Sequence, residues 1–398
     1  MTTASVASRR AAAFTVSSVI LLSVCTSFPA LLVAALAVPI QTDLRFGPDV
    51  LGASVAVFFA TTSVLSRPLG RLTRAIGTRW GMALTGTMAG LALLGLAGSR
   101  STLHLVGALM LAGAANAMGH PSVNTVLSRI VAQTRHGLAF GIKQASAPIA
   151  GLFGGIAVPV IALTWGWRWV LVTAAALAIG NVFVTWRRHD DVSPANGREG
   201  VLEKSFDRRL TPSLLAYAIA AGLGAAGANS VVVFLVDGGV TGAGLSVATA
   251  VAVFSAANVA SIATRIGAGL VVDKRPGLAR PMISVMLALG AGGCGLLALS
   301  PASYVVGAVV AAGIGWGWTG VMHYVVVLEN PDRPETATGA LLTGFAFGSA
   351  CGPILLGQIA DRQSYTAVWV VAGALCLASS FVLVIATHRA GRRILGTA

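Results

Sequence analysis

The sequence predicts an all-α membrane protein with twelve transmembrane helices in two pseudo-symmetric six-helix bundles. Three observations predict it. Of 398 residues, 56% are hydrophobic and only 10% charged, against about 25% charged in a soluble domain. The apolar residues gather in long runs, each near the roughly 20 residues a helix needs to cross a bilayer. The two halves of the chain also match at an offset near 200 residues. This composition excludes an ordinary soluble enzyme and a disordered chain.

Read between charged or turn-rich breaks, the spans of the first half are 13–39, 50–68, 80–98, 102–127, 138–163 and 167–186. The first follows Arg9 and Arg10 as a signal peptide would. Its apolar run from Ala11 to Ile40 is longer than a typical h-region, so a retained span is expected. The spans of the second half are 212–236, 243–266, 281–299, 303–327, 338–359 and 365–387. Between the halves, Arg187 to Arg209 mixes basic residues with Asp190, Asp191, Glu199, Glu203 and Asp207. The expected organisation is an N-terminal six-helix bundle over 1–186, a cytoplasmic linker over 187–211, and a C-terminal six-helix bundle with a short tail over 212–398.

A net charge of +14 would suggest a nucleic-acid partner for a soluble domain. Here it reads as topology. With the N-terminus inside, 22 of the 27 Lys and Arg residues, Arg265 among them, fall in inside segments. Four, namely Arg45, Arg100, Arg168 and Arg362, fall outside, and Lys143 lies within a span. Basic residues favour the cytoplasmic side, so both termini are expected there and no nucleic acid is expected as partner. Arg outnumbers Lys 24 to 3 in an Ala- and Gly-rich chain, which suits a GC-rich bacterial genome. The expected location is the bacterial inner (plasma) membrane, multi-pass.

The repeat is visible in Gly107, Ala108, Ala112 and Gly113, which match Gly307, Ala308, Ala312 and Gly313, and in Trp169 with Trp369. Gly70 matches Gly269. Repeated halves are how many secondary transporters are built, with the substrate site near the midplane between them.

Ionisable and polar residues inside the spans are the candidates for chemistry. No acidic residue falls in the middle of a predicted span; Asp43, Asp49, Asp237 and Asp361 are placed outside and the others inside. Lys143 and Gln144 sit early in span 5, where Lys143 either faces a cavity or snorkels to the surface. Asn116, His120 and Asn124 are spaced four apart on span 4 and share one face. They either line a cavity or bond neighbouring helices. Trp316 and His323 share a face of span 10, and Trp316 and Tyr324 are the repeat partners of Asn116 and Asn124. Asn229 in span 7 and Asn258 in span 8 are further polar candidates, while Trp318 reads as packing. A site with cations and amides and no carboxylate favours an anionic or neutral solute, with a monocarboxylate or other small organic anion first. Gly344, Gly348 and Gly352 form a small-residue ridge on span 11. The four cysteines show neither CxxC pairing nor metal-ligand spacing, so no metal and no catalytic residue is expected. No phosphate loop is present, so no ATP engine and no cofactor is expected.

The loop after span 2 reads Gly70-Arg71-Leu72-Thr73-Arg74-Ala75-Ile76-Gly77-Thr78-Arg79. It resembles the loop 2–3 signature of the major facilitator superfamily, with Arg74 where the family places an acid. The repeat copy, Gly269-Leu270-Val271-Val272-Asp273-Lys274-Arg275, keeps its acid. Pro148 in span 5, and Gly352 with Pro353 in span 11, resemble the family's proline signals beside small residues. The resemblance covers essentially the whole chain. It implies two pseudo-symmetric bundles rocking about a cavity lined by spans 1, 4, 7 and 10. It also implies a conformational latch at the loop signature, carried here by the copy around Asp273. The function expected is secondary transport by alternating access, as a symporter or antiporter with protons as the candidate coupling ion, by a monomer in the lipid bilayer. Drug efflux, and a non-transporting membrane sensor of the same fold, are the alternatives.

Overall fold

The computed structural model describes residues 3–130, 136–188, 211–330 and 334–395. Among them there is no strand, and twelve helices are long and apolar enough to cross a membrane. These are Phe14–Ala35, Pro48–Ser66, Arg79–Ala97, Thr102–His120, Gly141–Trp165 and Trp167–Trp186, then Pro212–Gly242, Val247–Lys274, Pro276–Leu299, Pro301–Glu329, Ala337–Arg362 and Tyr365–Ile385. They are numbered spans 1 to 12. The predicted linker falls almost wholly outside the described residues.

Local chemistry sets several span starts. Thr211, Ser246 and Ser300 are N-caps whose side chains accept from the backbone N–H of Leu214, Thr249 and Ser303. Pro212 and Pro301 follow two of them, where the missing N–H costs nothing. Spans 2 and 3 are joined by helix that continues into the predicted loop as far as a reversal at Gly77 (φ 83°, ψ 162°), a conformation open essentially to glycine. The predicted first span is broken at Leu36, and a short helix, Ala37–Leu44, follows.

Two boundaries differ from the sequence reading in ways that matter. Span 7 runs through Asp237 into a π-helical turn, Gly238–Gly242, so Asp237 is buried rather than in a loop. Span 8 continues eight residues beyond the predicted end at 266, to Lys274. That places Arg265 inside the span, 4% exposed, rather than in an inside segment.

The halves share contacts at equivalent places. A side chain at Gly113 of span 4 would meet the Phe58 carbonyl of span 2, and one at Gly313 of span 10 would meet the Ala257 carbonyl of span 8. Trp169 and Trp369 do not share an environment: the first is 52% exposed and the second 1%.

We call the side holding the described ends, Thr3 and Leu395, the terminal side, and the opposite one the far side. One apolar core joins both halves on the far side, from Val24 to Ile40, through Val231 to Val236, to Trp369. On the terminal side the core is split. Val19, Leu22, Met82 and Val123 pack in the first half, and a separate cluster from Leu214 to Leu383 packs in the second. Polar contacts reinforce the far-side closure. Gln41 Nε2 donates to Asp237 Oδ2 across the halves at 3.1 Å, and the Tyr365 hydroxyl donates to the same oxygen. Asp43 pairs with Arg168 at 2.8 Å and accepts from Trp167 Nε1 at 3.3 Å, tying far-side turns of the first half together.

Candidate functional site

On the terminal side, where the apolar core is split, polar residues converge between the halves. His120 lies about 27 Å from the far-side start of span 4, at 1.5 Å per residue, and its side chain is exposed. Arg265 on span 8 and Thr319 on span 10 lie at the same depth by the same count. Lys143 is in the last turn of the helical segment His136–Gln144, before a turn at Ala145 that restarts span 5.

These side chains form a connected chain of contacts. Lys143 Nζ is 3.4 Å from His120 Nδ1. Arg265 Nη1 donates to the carbonyl of Gln144, the next residue, at 2.9 Å, and to Thr319 Oγ1 at 3.0 Å. Arg265 Nε donates to Ser261 Oγ at 3.2 Å, one helical turn back. The guanidinium carbon lies 4.8 Å from the centroid of the Trp316 ring, within cation–π range. His323 Nδ1 donates to the Thr319 carbonyl at 2.7 Å, which links it to Arg265 through one residue. Gly320 faces the Gln144 side chain, so span 10 and span 5 meet directly.

The charge is one-sided. Among the described residues the ion pairs are Arg168–Asp43 and Arg280–Glu329, so no described carboxylate lies within 4.0 Å of Lys143 or Arg265. Arg265 Nη2 and Trp316 Nε1 are buried donors with no hydrogen-bond partner among the described residues. Such donors await an acceptor. Cations with spare donors and no nearby acid can bind an anion.

The other candidates distribute as follows. Asn116 is nearly buried and its Nδ2 reaches Thr62 Oγ1 at 3.5 Å, a contact inside the first half. The Asn124 side chain lies outside the described residues. Tyr324 is half-buried near His323 on span 10. Asn229 does not join this cluster: it is 3% exposed and donates to Ser349 Oγ at 2.7 Å, joining spans 7 and 11. Asn258 likewise packs against Gly151 of span 5. Trp318 is buried in an edge-on contact with Phe345.

The predicted conformational residues lie apart from this cluster. Gly70 is buried, Arg71 is exposed, and the Arg74 side chain lies outside the described residues. Arg79 stacks on Trp186 at 4.4 Å and donates to its carbonyl at 3.1 Å. Gly269 is buried in span 8, Lys274 and Arg275 are exposed, and Asp273 Oδ2 accepts from the Leu138 backbone N–H at 3.0 Å, across the halves. Pro148 is buried in span 5. Gly352 packs on the Ala226 carbonyl of span 7, and Pro353 on Gly52 of span 2.

Sequence reasoning missed Arg265, Ser261 and Thr319. The signal available was the apolar run Ile266 to Val272 beyond Arg265, which keeps the helix in the membrane, and the four-residue spacing from Ser261.

The profile of the Major Facilitator Superfamily matches residues 18–343. Solved structures share the fold. One is a bacterial homologue of the human lysosomal transporter Spinster, inward-facing and occupied. It superposes with a TM-score of 0.69 at 16% identity, over 94% of this chain and 95% of that one. A point mutant of the nucleoside transporter NupG gives 0.69 at 15% identity, over 93% and 99%. The unoccupied inward-facing form of the Spinster homologue gives 0.68 at 15%, over 94% and 95%. A search of curated protein sequences finds no match.

Proposed function

The chain belongs to the Major Facilitator Superfamily, and from that premise we propose that it moves a small organic anion across the membrane by alternating access. The observation that carries this reading is the placement of Lys143 and Arg265, one from each half, where spans 5, 8 and 10 meet. No described carboxylate neutralises either, and buried donors stand ready beside them. Field lines from such a cleft draw anions and repel cations.

The topology supports a bacterial plasma-membrane carrier with both termini in the cytoplasm, by the asymmetry of its basic residues. The terminal side is then the inner face. A core joined on the far side and split on the terminal side is the pattern of an inward-facing carrier. The two halves, 1–186 and 212–398, are the bodies that would rock about the site.

The test is a screen of labelled carboxylates in proteoliposomes under an imposed pH gradient. At least one small organic anion is expected to enter, either down the imposed gradient or in exchange for the same unlabelled anion inside the vesicles. Lys143→Ala is expected to reduce its uptake roughly 10- to 100-fold, the worth of a charged hydrogen bond, with membrane insertion intact. Wild-type uptake in that variant would remove Lys143 from the site. Accumulation of cationic dyes in place of any anion would favour drug efflux instead.

A further inference from the structure

The two permanent cations of the site come from different halves. Lys143 belongs to the first half and Arg265 to the second. They face the same seam between the halves: Arg265 bonds the carbonyl of the residue after Lys143, and Lys143 reaches His120. Each has hydrogen bonds, yet neither has a counter-charge within 4.0 Å among the described residues. Hydrogen bonds satisfy donors without cancelling charge. Two positive charges enclosed in a sealed, low-dielectric space lose their hydration and are left uncompensated.

This matters at one step of the cycle. To pass between terminal-side-open and far-side-open states, the halves must close over the site on both sides. With the site empty, that closure traps two uncompensated cations. A monoanion leaves one of them. A dianion cancels both, and one with two separated charges can give a carboxylate to each half. The guanidinium suits one carboxylate, because Arg265 Nη2 and the Nε1 of the Trp316 ring it stacks on have no partner among the described residues. Lys143 supplies a point charge for the other.

Building on the anion reading above, we propose that the site takes a small dicarboxylate dianion bridging Lys143 and Arg265, and that the carrier is an obligate anion exchanger. The loaded carrier closes and crosses; the empty carrier stays open on whichever side released its cargo. Each inward crossing is therefore matched by an outward one.

The full chain, reconstituted in liposomes, tests this with named probes. Labelled malonate and succinate serve as dianions, and labelled lactate as a monoanion. Vesicles contain either unlabelled dicarboxylate or sodium chloride buffer. A dicarboxylate is expected to enter preloaded vesicles at least roughly tenfold faster than chloride vesicles, since an uncompensated site cannot return. Lactate is expected to enter neither. Equal dicarboxylate entry into both vesicle types overturns obligate exchange. Lactate entering as fast as succinate overturns the dianion requirement while leaving the anion reading standing. If none of the probes enters and none raises the melting temperature of the purified protein, both readings fall. Lys143→Gln removes one of the two charges, and it is expected to gain lactate entry into chloride vesicles. A folded K143Q protein that still exchanges only dicarboxylates overturns the charge argument.

Discussion

Arg265 shows what a buried arginine requires. A guanidinium inside a membrane span is strongly disfavoured unless its donors and its flat face are met. Ser261, Thr319 and the Gln144 carbonyl meet three donor contacts, and Trp316 meets the face. Lysine at this position would keep the charge and lose the fork and the stacking. Arg265→Lys is therefore expected to remain folded and to weaken anion binding roughly tenfold or more, read as a loss of ligand-induced thermal stabilisation. Undiminished stabilisation would show that the fork is not used. His120 and His323 flank the same cations. His120→Ala and His323→Ala should each weaken anion uptake by removing a ring nitrogen beside the proposed site, and wild-type uptake in both variants would take the histidines out of the site. The sequence made His120, Lys143 and His323 legible because a titratable group inside an apolar run is conspicuous. Arg265 was not legible, because it stands where the hydropathy dips and so passes for a boundary charge. Asn229 misled for the opposite reason: a buried amide looks alike whether it faces a cavity or, as here, Ser349 of the next helix.

Spans 7 and 11 illustrate how small residues set helix approach. Side chains at Gly344, Gly348 and Gly352 would strike the carbonyls of Ala218, Gly222 and Ala226, each one turn apart on span 7. The ridge named from the sequence thus rides directly on a neighbouring backbone, the closest approach two helices can make. Gly348→Ala would force the helices apart and is expected to destabilise the protein by about 1–3 kcal/mol, the usual cost of overpacking. Monodispersity after graded heating measures this, and an unchanged midpoint would mean that the helices are free to separate. Span order and most span starts could be read from the sequence, since length, apolarity and cap residues are local properties. The ends of spans 7 and 8 could not. Asp237 and Arg265 look like exits from the membrane, and only the neighbours contributed by distant segments, Gln41 and Tyr365 for one and Thr319 for the other, keep them buried.

The molecule as described is closed on one side by contacts between its halves; on the other its apolar core is divided, though Asp273 still accepts from the Leu138 N–H across the seam. The joined far-side core supplies apolar closure, and Gln41 to Asp237 is a polar bond that crosses the same seam. Its position gives it leverage. Asp237 keeps the Tyr365 hydroxyl when Gln41 is lost, so removing the glutamine amide breaks a link between halves without stranding the carboxylate. Gln41→Ala should therefore leave folding intact and weaken the far-side-closed state by about 1 kcal/mol. That corresponds to roughly a fivefold rise in the ratio of far-side-open to far-side-closed molecules. Spin labels at Arg100 and Gln363, exposed far-side positions in the two halves, would report it. The distance distribution of the Gln41→Ala protein should gain weight at long separations relative to its labelled parent. If the two distributions coincide, the apolar core alone sets far-side closure and the Gln41–Asp237 bond is incidental to it. If the variant instead shifts toward shorter separations, the bond braces the halves apart, and the direction of the argument reverses.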